Sequence, residues 1–467
     1  MKDRRRSRDR FGVALAVTTL LLIATTGVRL AKSAQTSSTR NERAEAQRTK
    51  WFRDAKFGMF IHWGPYSLAS VEASWAIMRP LPGGISQDEY VNLYKRFNPT
   101  QFDPAAWVRL AQEAGQRYIV FTTKHHDGFC MFNSSLTDYK ITNTPYGKDV
   151  TAMLAKAAHN AGMPIGFYYS PPDMHNPNFR DTTKLVKDSW HGDPERLQWA
   201  DYLDYMGGQL HELVTRYGPV ALIWFDGLDC PYKYNPWRML PLIHQLQPKA
   251  LVNDRLGLPA DFGSSAFEKG VPNGVPTNTG KVVPLTYGSP ASLSQAAPPP
   301  EHFRLWEECM TINDTWAYNK NDQHYKSTKE LIQTLADVAS KGGNFLLDVG
   351  PTPEGTIQPE FVERLRAMGK WLKVNGESIY GTTYGPLQDL PFGKTTAKGD
   401  TVYLHVFDWP SAGTLQLSDF SGHVAAVSVL ATGEKLQFKQ ESSGVTINVP
   451  PAAPDSDDSV IQIQLRR

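Results

Sequence analysis

The sequence predicts a (β/α)8 TIM-like barrel as a catalytic domain, followed by a C-terminal antiparallel β-sandwich. Three observations predict it. Short apolar runs alternate with amphipathic helices from Trp51 to about Tyr380, and polar residues gather at the same end of successive runs. Beyond Gly385 the pattern changes to period two, the signature of short antiparallel strands. At 467 residues the chain is long enough for a large domain and a smaller one.

The elements follow in order. Residues 1–34 read as a signal peptide or signal anchor: Arg4, Arg5, Arg6, Arg8 and Arg10 precede an apolar run from Phe11 to about Val28. The protein is therefore expected to be exported, periplasmic or secreted, with no transmembrane segment beyond a possible N-terminal anchor. Residues 35–49 form a polar linker, and the barrel is expected over 50–385. Its strands are expected at Phe57–Gly64, Tyr118–Lys124, Pro164–Ser170, Ala221–Asp226, Ala250–Asp254 and Asn344–Gly350. They are apolar along their length because both faces of a barrel strand are covered. Helices are expected at Phe102–Ala114, opened by Asp103-Pro104, at Asp149–Ala161 and at Thr328–Lys341, each stopping at a glycine. Strand–helix alternation implies parallel pairing with helices outside. The number of units fits a barrel better than a doubly wound sheet, and no Gly-rich dinucleotide fingerprint follows a strand, so no cofactor is expected.

The stretch Leu256–Pro300 is rich in Gly, Pro, Ser, Thr and Asn and reads as a long loop over the catalytic face. The sandwich, 386–467, is expected from Thr401–Phe407, Thr414–Leu417, Val424–Leu430, Lys435–Phe438, Val445–Val449 and Ser459–Leu465, with turns at Thr432-Gly433 and Ser443-Gly444.

A net charge of +2 with both signs dispersed implies no nucleic-acid partner. Aromatic residues make 11% of the chain, which suits a carbohydrate site because flat rings cover the apolar faces of sugars. Cys130, Cys230 and Cys309 are far apart and lack metal-finger spacing, so buried free thiols are expected rather than a disulfide framework.

The chemistry concentrates at strand ends. His62 closes the first strand, His125-His126-Asp127 the second, Tyr168-Tyr169-Ser170 the third, Trp224-Phe225-Asp226 the fourth and Asn253-Asp254-Arg255 the fifth. One barrel mouth would thus hold imidazoles, carboxylates, a guanidinium and aromatics. Metal binding is disfavoured, because adjacent strand residues point to opposite faces and His125-His126 lacks alternate spacing. A neutral sugar fits better: imidazole and guanidinium donate to hydroxyls, and a carboxylate stabilises or attacks an oxocarbenium-like centre. Such chemistry needs a second carboxyl group, for which Glu268 and Glu307 are the candidates.

These residues fall into runs that resemble the α-L-fucosidase family of retaining glycoside hydrolases. The runs are Ala55-Lys56-Phe57-Gly58, Phe60-Ile61-His62-Trp63-Gly64, Thr123-Lys124-His125-His126-Asp127-Gly128-Phe129, Tyr168-Tyr169-Ser170 and Trp224-Phe225-Asp226-Gly227. Trp306-Glu307, Cys309-Met310-Thr311-Ile312-Asn313, Asn344-Phe345-Leu346-Leu347 and Asn375-Gly376-Glu377-Ser378-Ile379-Tyr380 continue them. The resemblance implies a fucosylated oligosaccharide or glycoconjugate as substrate and Asp226 as nucleophile. It implies His62, His125, His126, Tyr169, Trp224 and Arg255 as fucose contacts, with Trp63, Trp75 and Trp306 as further aromatic contacts. The acid/base is expected at Glu268, after Asp261-Phe262-Gly263, with Glu307 as the alternative. An exo-glycosidase for L-galactose and a fucose-binding protein without catalysis are the other readings.

Overall fold

Apolar segments with both faces covered close on themselves only as a barrel. The computed structural model describes residues 43–78, 85–227, 231–258, 260–266, 275–276, 282–283, 305–387, 390–420 and 422–466. The expected signal segment and most of the linker lie outside them. Of Met1–Trp51, the described residues 43–51 are helical. Phe52–Arg467 forms one compact unit.

Eight strands make the barrel: β1 (Phe57–Ile61), β2 (Ile119–Lys124), β3 (Ile165–Tyr169), β4 (Leu222–Phe225), β5 (Leu251–Val252), β6 (Gly263–Ala266), β7 (Trp306–Thr311) and β8 (Asn344–Val349). All neighbours pair in parallel, in the order β5-β4-β3-β2-β1-β8-β7-β6. The two edges meet through a parallel bridge between Asn253 and Phe262, and Asp261 N–H donates to Val252 O at 2.9 Å. Two of these strands carry no apolar run in the sequence. β6 falls inside the stretch expected as loop, and β7 contains Glu307 and Glu308. Hydrogen bonding replaces apolar burial there: Ser264 Oγ on β6 accepts from Arg255 Nε at 3.0 Å and from Asn253 Nδ2 at 3.2 Å.

The helices α1 (Pro104–Glu113), α2 (Val150–Asn160), α3 (Trp199–Arg216), α4 (Pro236–Leu246), α5 (Thr328–Ser340) and α6 (Pro359–Asn375) surround the sheet. Asp103, Asp149 and Ser327 cap α1, α2 and α5 by accepting from backbone N–H groups of the first turn. Leu154, Leu210, Leu335 and Leu365 on the helices share one core with Ile61, Ile119, Phe167, Ile223 and Leu347 on the strands. Cys130 and Cys309 are buried free thiols, as expected, while Cys230 lies outside the described residues. Among the described residues no helix is long and apolar enough to cross a membrane.

The C-terminal part consists of β9 (Thr383–Tyr384), β10 (Gly393–Lys398), β11 (Thr401–Val406), β12 (Thr414–Ser418), β13 (Val424–Val429), β14 (Phe438–Glu441), β15 (Gly444–Asn448) and β16 (Ser459–Leu465). They form a five-stranded antiparallel sheet, β9-β10-β11-β16-β13, facing a three-stranded one, β12-β15-β14. On β12, buried Leu415 and Leu417 alternate with exposed Thr414, Gln416 and Ser418, and join Leu404, Val427, Ile447 and Ile463 in a second core. Trp371 of α6 donates to Asp458 O at 3.0 Å, and Thr396 Oγ1 donates to Ser378 O at 2.6 Å, tying sandwich to barrel.

Candidate active site

Alternation along each strand decides which side chains enter the barrel and which face the helices. Phe60 of β1 lies 5.9 Å from Tyr168 of β3 and 5.2 Å from Trp224 of β4, ring centre to ring centre. Rings from non-adjacent strands meet this way only inside the barrel. Tyr168 and Trp224 are register partners and stack at 5.6 Å. Residues two positions along from Phe60 and Trp224, namely His62 and Asp226, therefore stand at the C-terminal mouth.

Asp226 is the centre of the charge pattern. Its Oδ1 accepts from Arg255 Nη1 at 2.9 Å, its Oδ2 accepts from the Tyr168 hydroxyl at 2.9 Å, and His126 Nε2 lies 3.4 Å from Oδ2. Burial alone would push this carboxyl up. The His126 hydrogen bond and the Arg255 guanidinium outweigh it, holding the group well below the usual carboxylate range. Asp226 is thus an ionised carboxylate with 15% of its side chain exposed. Arg255 is itself held in place, its guanidinium 4.8 Å over the Trp224 ring.

The imidazoles are oriented from behind. Ser170 Oγ donates to Pro172 O at 2.8 Å, so it receives the hydrogen bond from His126 Nδ1 at 2.5 Å, and Nε2 turns to Asp226. Ser74 Oγ bonds to His125 Nδ1. Burial and the neighbouring His126 and His62 keep His125 neutral by lowering its pKa. His62 Nδ1 lies 2.7 Å from Asp348 Oδ1. Burial lowers His62 to about 3, against the pull of Asp226, and burial raises Asp348. His125 and His126 both reach the mouth, contrary to the alternation argued from sequence, because β2 ends at Lys124 and the two histidines lie beyond it. Trp75 lies 5.0 Å from the His126 ring.

Several expected contacts are placed elsewhere. Tyr169 points outward: its hydroxyl donates to Gln209 Oε1 of α3 at 2.8 Å, and Lys124 Nζ sits 4.4 Å over its ring. Its neighbour Tyr168 takes the place expected for it. Trp63 likewise faces the helices, among Phe97, Phe102 and Trp107, donating to Thr352 O at 2.9 Å. Trp306 donates to Lys341 O at 3.1 Å in the same outer layer, and an ideal Cβ at Gly343 would lie 2.4 Å from its ring. All three have odd parity relative to His62, Trp224 or Glu307, which is the physical reason for their absence from the mouth.

Glu307 faces inward but is the second residue of β7, near the barrel floor, not a strand-end residue. It is fully buried, with Oε1 accepting from Trp224 Nε1 at 2.8 Å and Oε2 accepting from the Tyr118 hydroxyl. Burial raises its pKa to about 7, although the Tyr118 and Trp224 hydrogen bonds and Arg255 pull it down. Tyr118 reaches it across Gly58, where a Cβ would come within 2.4 Å of the ring. Glu268 lies outside the described residues.

The sequence showed Tyr168 and Ser170 only as part of the third strand's polar end, and Ser74, Asp348 and Trp316 were not expected in the site. The Trp316 ring lies 5.1 Å from the His62 ring, and the Trp316 backbone N–H donates to both oxygens of Glu72 at 3.1 and 3.0 Å. Ser74, Asp348 and Trp316 carry no sequence signal, since their contacts join separate strands and loops.

An ionised carboxylate among imidazoles, a guanidinium and aromatic rings at a barrel mouth fits a carbohydrate-processing hydrolase. The Alpha-L-fucosidase family profile matches residues 23–377, and the profile of the Alpha-L-fucosidase C-terminal domain matches residues 392–465. The chain is 31% identical over 435 residues to the alpha-L-fucosidase of Dictyostelium discoideum, covering 86% of this chain and 89% of that one. It is 30% identical over 435 residues to the tissue alpha-L-fucosidase of Homo sapiens, covering 87% and 86%. Among solved structures, alpha-L-fucosidase isoenzyme 1 from Paenibacillus thiaminolyticus superposes with a TM-score of 0.77 at 33% identity, covering 91% of this chain and 100% of that one. A Bacteroides thetaiotaomicron alpha-L-fucosidase, trapped as a covalent intermediate with 2-fluoro-fucosyl fluoride, superposes with a TM-score of 0.74 at 29% identity, covering 90% and 96%. The chain belongs to the alpha-L-fucosidase family of glycoside hydrolases.

Proposed function

We propose that this protein is an exo-acting α-L-fucosidase that releases terminal α-L-fucosyl residues from glycans or glycoconjugates with net retention. The observation that carries the reading is the ionised Asp226 carboxylate, fixed on one oxygen by Arg255 and on the other by Tyr168. A carboxylate kept charged and oriented is prepared to attack an anomeric carbon. Neutral His62 and His125 present imidazole nitrogens to sugar hydroxyls and half-buried Trp75 offers an aromatic face, whereas Trp224, expected as a contact, is buried with Tyr168 stacked on its ring and Arg255 over it.

Asp226 displaces the aglycone to form a glycosyl ester, and the acid/base protonates the departing oxygen. The same group then takes a proton from water, which opens the ester and restores the starting anomer. We assign the acid/base to Glu268. Two facts support it: Glu268 follows the last residue of β6 by two positions in the sequence, and Glu307 has both oxygens engaged and no exposure. Retention places the two carboxyl groups about 5–5.5 Å apart. We also propose export, on the strength of the arginine-rich start and the apolar run from Phe11.

Proton NMR of the purified protein with an aryl α-L-fucoside tests the mechanism by the anomer released first. Initial α-L-fucose is expected. Initial β-L-fucose would refute the nucleophile role of Asp226.

A further inference from the structure

The loop between β3 and α3 contains one short 3-10 turn and no longer helix, yet a buried arginine organises it. Arg180 Nε donates to Met174 O at 2.5 Å, and its Nη1 donates to Asp181 O, Lys184 O and Ser189 Oγ at 3.0, 3.0 and 2.9 Å. Four acceptors on one guanidinium fix the loop up to the residue before Trp190. Met174 and Val186 from this loop pack with Tyr66, Ile77 and Leu93 from the segment after β1 and Ala317 from the segment after β7. These segments leave the C-terminal ends of barrel strands, so the cluster stands on the face where Asp226 opens.

Half-buried Trp75 and Trp190 sit at its margin. The Trp75 ring is 5.0 Å from His126, whose Nε2 is 3.4 Å from Asp226. The Trp190 ring lies 6.1 Å beyond Trp75, nearly perpendicular to it, with His191 at 3.6 Å from Trp190. Lys233, in the segment after β4, donates to His191 O and ties this rim to the segment that follows Asp226.

We infer that Trp190, with Trp75 as its inner wall, is a preformed ledge on which a neutral hexopyranose of the glycan beyond the fucose stacks its C–H face. The inference rests on the fucosidase reading and deepens it: the substrate is a fucosylated saccharide, recognised through the sugar next to the cleaved bond as well as through fucose. Preorganisation by Arg180 means little ordering is needed when the sugar binds. Tryptophan suits the role, presenting a broad apolar face while tolerating partial exposure.

The test compares a fucosylated lactose trisaccharide with α-L-fucosyl fluoride, whose leaving group has nothing to stack. Trp190→Ala is expected to lower kcat/KM on the trisaccharide by about 3- to 10-fold, mostly through KM, and to leave the fluoride unchanged. Trp190→Phe, which keeps an aromatic face, should restore most of the loss. Equal losses on both substrates, or no loss on the trisaccharide, overturn the ledge. Failure of the unaltered protein to hydrolyse the fluoride would sink the fucosidase reading itself, and the ledge with it.

Discussion

Tyr168 and Tyr169 are adjacent and chemically identical, yet the barrel assigns them to opposite faces. Removing one hydroxyl at a time therefore tests the placement of the site. In Tyr168→Phe the ring stays stacked between His125, at 5.4 Å and 9°, and Trp224, at 5.6 Å and 17°. Only the 2.9 Å hydrogen bond to Asp226 Oδ2 is lost, leaving that oxygen with His126 at 3.4 Å. A hydrogen bond to a charged group contributes about 1.5–3 kcal/mol, or about 10- to 150-fold in an equilibrium. The carboxylate is then held by Arg255 and by the longer His126 contact alone, and a misaligned nucleophile loses rate on the same scale. We expect kcat/KM on an aryl α-L-fucoside to fall about 10- to 100-fold. Tyr169→Phe should lose stability without losing activity. Its hydroxyl donates only to Gln209 Oε1, so the variant should lose about 1–3 kcal/mol of stability and keep its activity. A Tyr169→Phe enzyme as impaired as Tyr168→Phe, or a fully active Tyr168→Phe enzyme, would refute the reasoning.

Asp226→Gly should lose about 10⁴-fold or more in turnover while keeping a cooperative melt, and azide should restore hydrolysis of an activated fucoside. Full activity in that variant ends the nucleophile assignment. Arg255→Met leaves a buried carboxylate without its guanidinium, so it should cost about 3–5 kcal/mol in chemical denaturation. With burial less opposed, the Asp226 pKa rises, and the acid limb of the kcat/KM–pH profile should move to higher pH. Glu307→Gln keeps an acceptor for Trp224 and should stay active, whereas a loss of about 10²–10⁴-fold would make Glu307 the acid/base. Its folded pKa, about 7, lies above the ordinary value of 4.5, so its contribution to stability is complete below pH 4.5 and is lost as pH rises through 7. Relative to the glutamine variant, the unaltered protein should therefore lose up to about 3 kcal/mol between pH 5 and 8, measured by urea melts at both values.

The sequence by itself determined the architecture and the centre of the site. Buried parallel strands must be apolar on both faces and helices must be capped, so β1 to β5 and β8 announce themselves, as do α1, α2 and α5. The period-two pattern after Gly385 did the same for the sandwich. Polar residues cannot be left unpaired where strands leave the core, so His62, His125, His126, Asp226 and Arg255 were visible as a group. What hid the rest is the same physics. A strand covered on both faces shows no alternation in composition, so parity was unreadable, and Tyr169, Trp63 and Trp306 could not be told from residues of the inner face. β6 and β7 were hidden because hydrogen bonds at Ser264 and Glu307, not apolar side chains, satisfy them inside the barrel. Only the tertiary structure brought Tyr168, Ser170, Ser74 and Asp348 behind the reactive groups, because those contacts join residues from separate strands and loops. The Arg180-centred loop that carries Trp190 belongs with them: its geometry is set by carbonyls converging on one guanidinium, which no local pattern encodes.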